Sequence, residues 1–188
     1  MLASGSPRRR ELLARLGVRF TIHSPDIDER PQPDEDPVAY VERLARLKAR
    51  VVSTMWARKP DQIVLAADTT VALGGRIYGK PENRAEAEEI LAALAGKRHE
   101  VLTAVALKNQ DWIEVALSTS EVQLKALSRD DIAQYVASGE GDDKAGAYGI
   151  QGRAARFVVE IRGSYSGIMG LPLYETGQLI DRLPYRSR

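Results

Sequence analysis

A chain of 188 residues is long enough to bury a sizeable core within one domain, with room for two lobes around a cleft. Its 27 Lys and Arg offset 26 Asp and Glu to leave a formal charge of +1, so no overall field draws it onto nucleic acid or an anionic membrane, and any anion site must be local. There is no cysteine for a disulfide, a thiolate metal site or a nucleophile; no apolar segment precedes the first arginines and no later apolar run nears membrane-spanning length, which points to a soluble, cytoplasmic protein.

Leu2-Ala3 reads as a short strand that leads into a helix. Ser6 suits the N-cap, Pro7 the first turn, Leu12, Leu13 and Leu16 form an apolar face, and Gly17 ends it. Val18 to Ile22 reads as a second strand, followed by a polar, proline-bearing loop. Asp36 and Pro37 then open a long helix to about Met55, and a buried strand over 63–67 ends at Asp68. Gly74-Gly75 marks a hairpin, and Asn83 opens a helix that stops at Gly96. Residues 100–108 and 112–127 alternate as an antiparallel pair joined at Asn109 to Asp111. Ser128 caps a helix to Ser138, residues 155–163 read as a strand, and Pro172 begins a final helix to about Leu183. Hairpins among alternating helices and strands exclude a purely parallel sheet, so the pattern predicts an α/β fold with a mixed, twisted sheet and flanking helices. The sequence shows neither an internal repeat nor a low-complexity segment.

The first helix contains a contradiction. Arg8, Arg9 and Arg10 crowd its first turn, where unpaired amides already make a partial positive charge. Ser4, Gly5 and Ser6 precede it as small, hydrogen-bonding residues that allow a ligand close to the backbone, an arrangement that suits phosphate; the alternative is a solvated basic face. Lys48 shares a helical face with Val41, Leu44 and Val51. Either its stem snorkels to the rim, which the pattern favours, or its ammonium meets an anion in a cleft. Asp68-Thr69 stands at the predicted end of an apolar strand, where ligands gather in open sheets and an acid serves catalysis or metal binding; a turn aspartate is the plainer reading. Lys80 could be solvated or functional, and Asp28 and Glu29 lie in a loop that could supply a second acidic ligand. Gly146, Gly149 and Gly152 recur every third residue beside Tyr148 and Gln151, which offer a stacking face and an amide able to read a base; the alternative is a structural loop with a half-buried tyrosine. A further loop over 163–172 leads into a helix in the same style. His23 and His99 have no partners at zinc-ligand spacing, so His99 reads as a turn or strand-end histidine, and any metal would be Mg²⁺ or Mn²⁺ on oxygen ligands.

The segments Ser4-Gly5-Ser6-Pro7-Arg8-Arg9, Lys48-Ala49, Ala67-Asp68-Thr69, Gly79-Lys80-Pro81, Asp143 to Gly152 and Gly170-Leu171-Pro172, in this order, make the chain resemble the Maf (septum-formation-inhibitor-like) family of nucleoside triphosphate pyrophosphatases. The resemblance covers nearly the whole chain. It implies one Maf-like domain over 1–188, a two-lobed fold of the inosine-triphosphate-pyrophosphatase type, and metal-dependent hydrolysis between the α and β phosphates. It also implies Asp68 as proton acceptor and Arg9, Lys48 and Lys80 as phosphate-facing cations, with Ser4 and Glu29 nearby; by the chemistry, Asp68 either deprotonates the attacking water or, with Glu29, supplies the oxygens for the Mg²⁺ or Mn²⁺ that does so. Arg8, Thr69 and Gln151 resemble the dTTP/UTP branch. A homodimer is the assembly the family suggests; the rival readings are a nucleotide-binding regulator of division without turnover and, through Arg8 to Arg10, a nucleic-acid binder, which the lack of a wider basic stripe disfavours. Gly141-Asp142 replaces a proline-containing approach usual before Asp143-Lys144, and Tyr78 replaces a common leucine.

Overall fold

The computed structural model describes residues 1–55 and 62–183. Six strands form one sheet: β1 (Leu2–Ala3), β2 (Val64–Leu73), β3 (Arg76–Tyr78), β4 (Arg98–Lys108), β5 (Ile113–Leu124) and β6 (Val158–Arg162). The order is β1-β2-β4-β5-β6, with β3 pairing β2 beyond β1. The β1–β2 pair is parallel and the others are antiparallel, which makes the sheet mixed, as the hairpin signals require. The helices are α1 (Pro7–Ala14), α2 (Pro37–Met55), α3 (Arg84–Leu94), α4 (Arg129–Ala137), α5 (Tyr165–Ile168) and α6 (Leu173–Asp181). None among the described residues is long and apolar enough to cross a membrane.

Local chemistry accounts for most boundaries. Asp36 accepts hydrogen bonds from the backbone of Val38 and Ala39 ahead of α2, Asn83 caps α3, and Ser128 with Asp131 makes a capping box on α4. Gly74 and Gly75 both take positive φ, 59° and 79°, as a two-residue hairpin between β2 and β3 demands. On one face of the sheet α2 buries Val41, Leu44 and Val52 against Ala66, Ala72 and Leu102. On the other, Leu65, Val71, Val101 and Val105 pack with Leu12, Leu13, Leu91 and Leu171. Each such fully buried Leu or Val contributes about 1.5–3 kcal/mol.

Three elements differ from the sequence reading. Val18 to Ile22 makes only a bridge from Ile22 to Leu2, because the two-residue β1 offers nothing longer to pair with. The predicted strand over 155–163 starts at Val158, residues 153–157 forming a short 3₁₀ turn. Most consequentially, β2 does not end at Asp68 but runs on to Leu73, with Asp68 opposite Ala104 and Thr69 opposite Thr103 of β4. What ends there is its neighbour. On its other edge β2 pairs with β1 at Leu65 and Ala66 and with β3 from Val71, so among the described residues no strand lies beside 67–70 on that edge. A cleft opens at this gap.

Candidate active site

A cavity of about 670 Å³ occupies the gap. Its walls include Ser4, Arg8 and Arg9 from the start of α1, Glu29 from the polar loop, Lys48 from α2, Asp68 and Thr69 from β2, Lys80 after β3, and Gln151 from the glycine loop. The nine residues to which the family resemblance gives roles therefore lie at one cavity, whereas Asp28, the other acid of the polar loop, pairs with Arg30 at 2.6 Å and is not among the lining residues. Arg10, the third arginine of the run, is exposed and is not among the lining residues.

The centre is a buried charge cluster. Lys48 is 8 % exposed and Asp68 5 %; the Lys48 ammonium lies 2.6 Å from Asp68 Oδ1 and 2.6 Å from Glu29 Oε1. The expectation that Lys48 snorkels to the rim is overturned: two carboxylates meet it inside the cleft, so burial carries no unpaired charge. Glu29 Oε2 is also 3.5 Å from Lys80 Nζ, and the Tyr40 hydroxyl donates to the Glu29 carbonyl at 2.8 Å, fixing the loop that presents it. Burial pushes the Asp68 carboxyl above the usual range, against the opposing pull of Lys48 and Arg9. Glu29 also feels burial, but Lys48 and Lys80 outweigh it and hold the group below its ordinary value.

Arg9 anchors the opposite wall. Ser6 accepts the Arg9 backbone N–H at 3.4 Å and Ser4 Oγ accepts the Ser6 N–H at 3.2 Å, which tightens the turn into α1. The guanidinium donates from Nε to the Gly170 carbonyl at 2.8 Å, from Nη2 to Thr69 Oγ1 at 3.1 Å and from Nη1 to Ser4 Oγ at 3.5 Å. Gly170 has to be glycine: its φ is +110°, and a Cβ there would stand 3.3 Å from Arg9 Nε and 3.4 Å from Thr69 Oγ1. The 163–172 loop leads into α6, as expected, and also holds Arg9 through the Gly170 carbonyl.

The glycine loop is held from beneath by residues the sequence reading missed. The Glu140 carboxylate accepts the Tyr135 hydroxyl at 2.9 Å and the Arg153 N–H at 2.9 Å, and it fills the space a side chain at Gly152 would need. Tyr135 in turn accepts the Gly149 N–H at 3.0 Å. The signal was present as a glutamate between the glycine ending α4 and a glycine-rich run, but a carboxylate serving backbone amides has no spacing rule. Gly141 accounts for one departure from the family pattern: a Cβ would come within 2.1 Å of the Ala147 carbonyl, so this backbone admits only glycine. The other, Tyr78, is buried in the core with the Arg76 guanidinium over its ring. Arg8 sits 3.7 Å from Asp143 at the rim, and Gln151 is exposed. Tyr148 is 6 % exposed and hydrogen-bonded at 2.8 Å to His99, a buried strand histidine whose pKa burial pushes down to about 4. Its ring has little face left for stacking on a base.

No group of three or more His, Cys, Asp or Glu able to hold a metal occurs among the described residues. The donor set nonetheless fits a hard cation that shares its ligands with a substrate, since Asp68 and Glu29 already converge on one cation and Mg²⁺ commonly takes one or two carboxylates with phosphate oxygens and waters.

Fold and cavity define a mixed-sheet α/β protein whose cleft sets a carboxylate pair among convergent cations. The chain belongs to the Maf family: the family model for Maf-like proteins matches residues 1–183. It is 51 % identical, over 195 aligned positions covering 98 % of this chain and 95 % of the relative, to a protein of Aromatoleum aromaticum named dTTP/UTP pyrophosphatase. A protein of Methylobacillus flagellatus with the same name is 55 % identical over 181 positions, covering 95 % of this chain and 89 % of the relative.

Proposed function

We propose that this protein is a dTTP/UTP pyrophosphatase, which hydrolyses the bond between the α and β phosphates of pyrimidine nucleoside triphosphates, modified ones included, to release the monophosphate and pyrophosphate. The observation that carries the reading is the meeting of Arg9, Lys48 and Lys80 with the Asp68–Glu29 pair at one cavity. Relatives of about half-identical sequence, aligned along nearly the whole chain, carry this name.

Phosphorus in a polyanion repels an approaching water until its charge is neutralised. Arg9 has five N–H donors, of which its protein partners engage three, leaving one on each terminal nitrogen for phosphate oxygens. Lys48, Lys80 and the α1 amides beside Ser4 add to this field, which resolves the contradiction at the helix start: positive charge there is unfavourable alone and favourable around a polyphosphate. Asp68 is the proton acceptor for the attacking water, and its raised pKa brings it nearer the working pH, where a general base is more effective. As water adds to the α phosphorus its proton passes to Asp68 and the bridging oxygen leaves with pyrophosphate. Asp68 and Glu29 would hold Mg²⁺ or Mn²⁺, which when bound supplies Lewis-acid charge to the phosphates. Arg8, Thr69 and Gln151 set base preference in this reading.

The same reading takes residues 1–188 as one catalytic domain in a soluble, cytoplasmic protein that assembles as a homodimer. Incubation with a nucleotide panel and Mg²⁺ or Mn²⁺, with products identified, tests it. UTP and dTTP should give monophosphate and pyrophosphate, and EDTA should stop the reaction. Orthophosphate release refutes the chemistry, and binding without turnover would mark a nucleotide-binding regulator of division instead.

A further inference from the structure

Arg9 closes a ring of hydrogen bonds. Beyond Thr69 Oγ1, which accepts Arg9 Nη2–H at 3.1 Å, the chain of contacts passes to Thr103 Oγ1 at 2.9 Å and from there to the Gly167 carbonyl at 2.8 Å. The same carbonyl accepts the Gly170 N–H at 2.9 Å, and the Gly170 carbonyl holds Arg9 Nε at 2.8 Å. Counting protons fixes the polarity of the ring. A hydroxyl has one proton and a carbonyl none to give, so Thr103 spends its proton on Gly167. In the contact between the threonines Thr69 must then be the donor. With that proton committed, Thr69 presents only lone pairs to Arg9 and to the cavity.

We infer that Thr103, which does not line the cavity, is a positioning residue for the reaction: it accepts a hydrogen bond from the Thr69 hydroxyl and tethers the 163–172 loop, so that both sides of the Arg9 guanidinium meet fixed acceptors. Thr103 is 0 % exposed and stands between Val101 and Val105 on the apolar face of β4. A valine would fill that place without a hydroxyl to bury, so packing alone gives no reason for threonine. The register supplies the reason, because Thr103 lies directly opposite Thr69 across the β2–β4 ladder, where facing side chains touch.

The inference rests on the proposed role of Arg9 in holding phosphate, and the experiment separates the two. Thr103→Val and Thr103→Ser are compared with the unmodified protein for UTP hydrolysis, in the natural background and in Arg9→Lys, which keeps the charge but lacks the fork. Thr103→Val should lower kcat/KM roughly tenfold, the size of one hydrogen bond's net contribution, with kcat changing more than KM. Thr103→Ser should restore the rate, and Thr103→Val should cost nothing further in Arg9→Lys. Nitrogen-detected NMR of the arginine side chains supplies a readout independent of turnover: separate Arg9 Nη signals from restricted rotation in the unmodified protein, merging in Thr103→Val and recovered in Thr103→Ser. Unchanged Arg9 signals in Thr103→Val, or an equal loss of rate with and without the Arg9 fork, would overturn the inference. If the unmodified protein hydrolyses no nucleotide, the proposed function fails while the NMR comparison still decides the role of Thr103 in holding Arg9.

Discussion

Lys48→Met keeps a stem of similar length and removes the charge, which makes it a direct test of the buried cluster. The ammonium lies 2.6 Å from both Asp68 and Glu29, and without it the two carboxylates face each other with no cation between them. Glu29 retains Lys80 at 3.5 Å and is partly solvated, so Asp68, 5 % exposed, takes most of the penalty. Removing one partner of a buried pair costs about 3–5 kcal/mol. At ~2–4 °C per kcal/mol for a chain of this size, Tm should fall by ~6–20 °C at neutral or higher pH. The loss should depend on pH with a definite sign. Burial already raises the Asp68 pKa, and loss of Lys48 raises it further, so the native carboxyl binds a proton where the unfolded one does not. Stability then falls as pH rises through the raised pKa and is regained as pH drops toward the ordinary carboxylate value of about 4. Urea denaturation of both proteins at intervals from about pH 5 to pH 8 should show a deficit that is largest at the alkaline end and shrinks on acidification. A variant within about 1 kcal/mol of the unmodified protein throughout, or a deficit that widens on acidification, would refute a buried charge cluster.

Asp68→Asn keeps the shape and removes the base; kcat should fall by about 10²–10⁴-fold while a thermal melt shows a folded protein, and normal rates would remove Asp68 from its role. In the metal-free protein the Asp68 carboxyl should titrate above the ordinary carboxylate range, because burial raises its pKa; carbon-detected NMR of the side-chain carboxyls against pH should show this, and a midpoint at or below the ordinary value would refute it. Gly170→Ala forces a side chain into φ +110° and against Arg9 and Thr69, so it should cost about 1–3 kcal/mol in chemical denaturation and lower UTP turnover as well.

Helix starts and tight turns were legible in the sequence because their causes lie within a few residues. Asp36 before α2, Asn83 before α3, Ser128 before α4 and the Gly74-Gly75 turn each act locally. The residues that the family motifs single out were legible as an ordered set, and Ser4, Arg8, Arg9, Glu29, Lys48, Asp68, Thr69, Lys80 and Gln151 all line the cavity. Their relations were not. A lysine on an apolar helix face has the same pattern whether it reaches the rim or a cleft, and what decides for Lys48 is a pair of carboxylates on two other segments. Asp68, Thr69 and Thr70 interrupt the apolar run after Ala67, so β2 reads as finished when only its character changes. Thr103 is unremarkable in a strand, where β-branched residues are common, and its meaning depends on a register that places Thr69 opposite.

The gap beside β2 explains why neighbours in the chain can serve one cavity. Consecutive residues of a strand point to opposite faces, so a site on one face of a continuous sheet could use Asp68 or Thr69 but not both. Here Asp68 meets Lys48 on the α2 side, and Thr69 meets Arg9 on the side of α1 and the 163–172 loop. The two sides communicate because β1 pairs with β2 no further than Ala66 and β3 pairs with it only from Val71. Had β1 continued in register beyond Ala3, its next residues would have filled that edge and divided the cleft into two halves. Ser4, Gly5 and Ser6 instead turn the chain away into α1, so the segment that ends the strand also brings Arg9 to the opening it leaves.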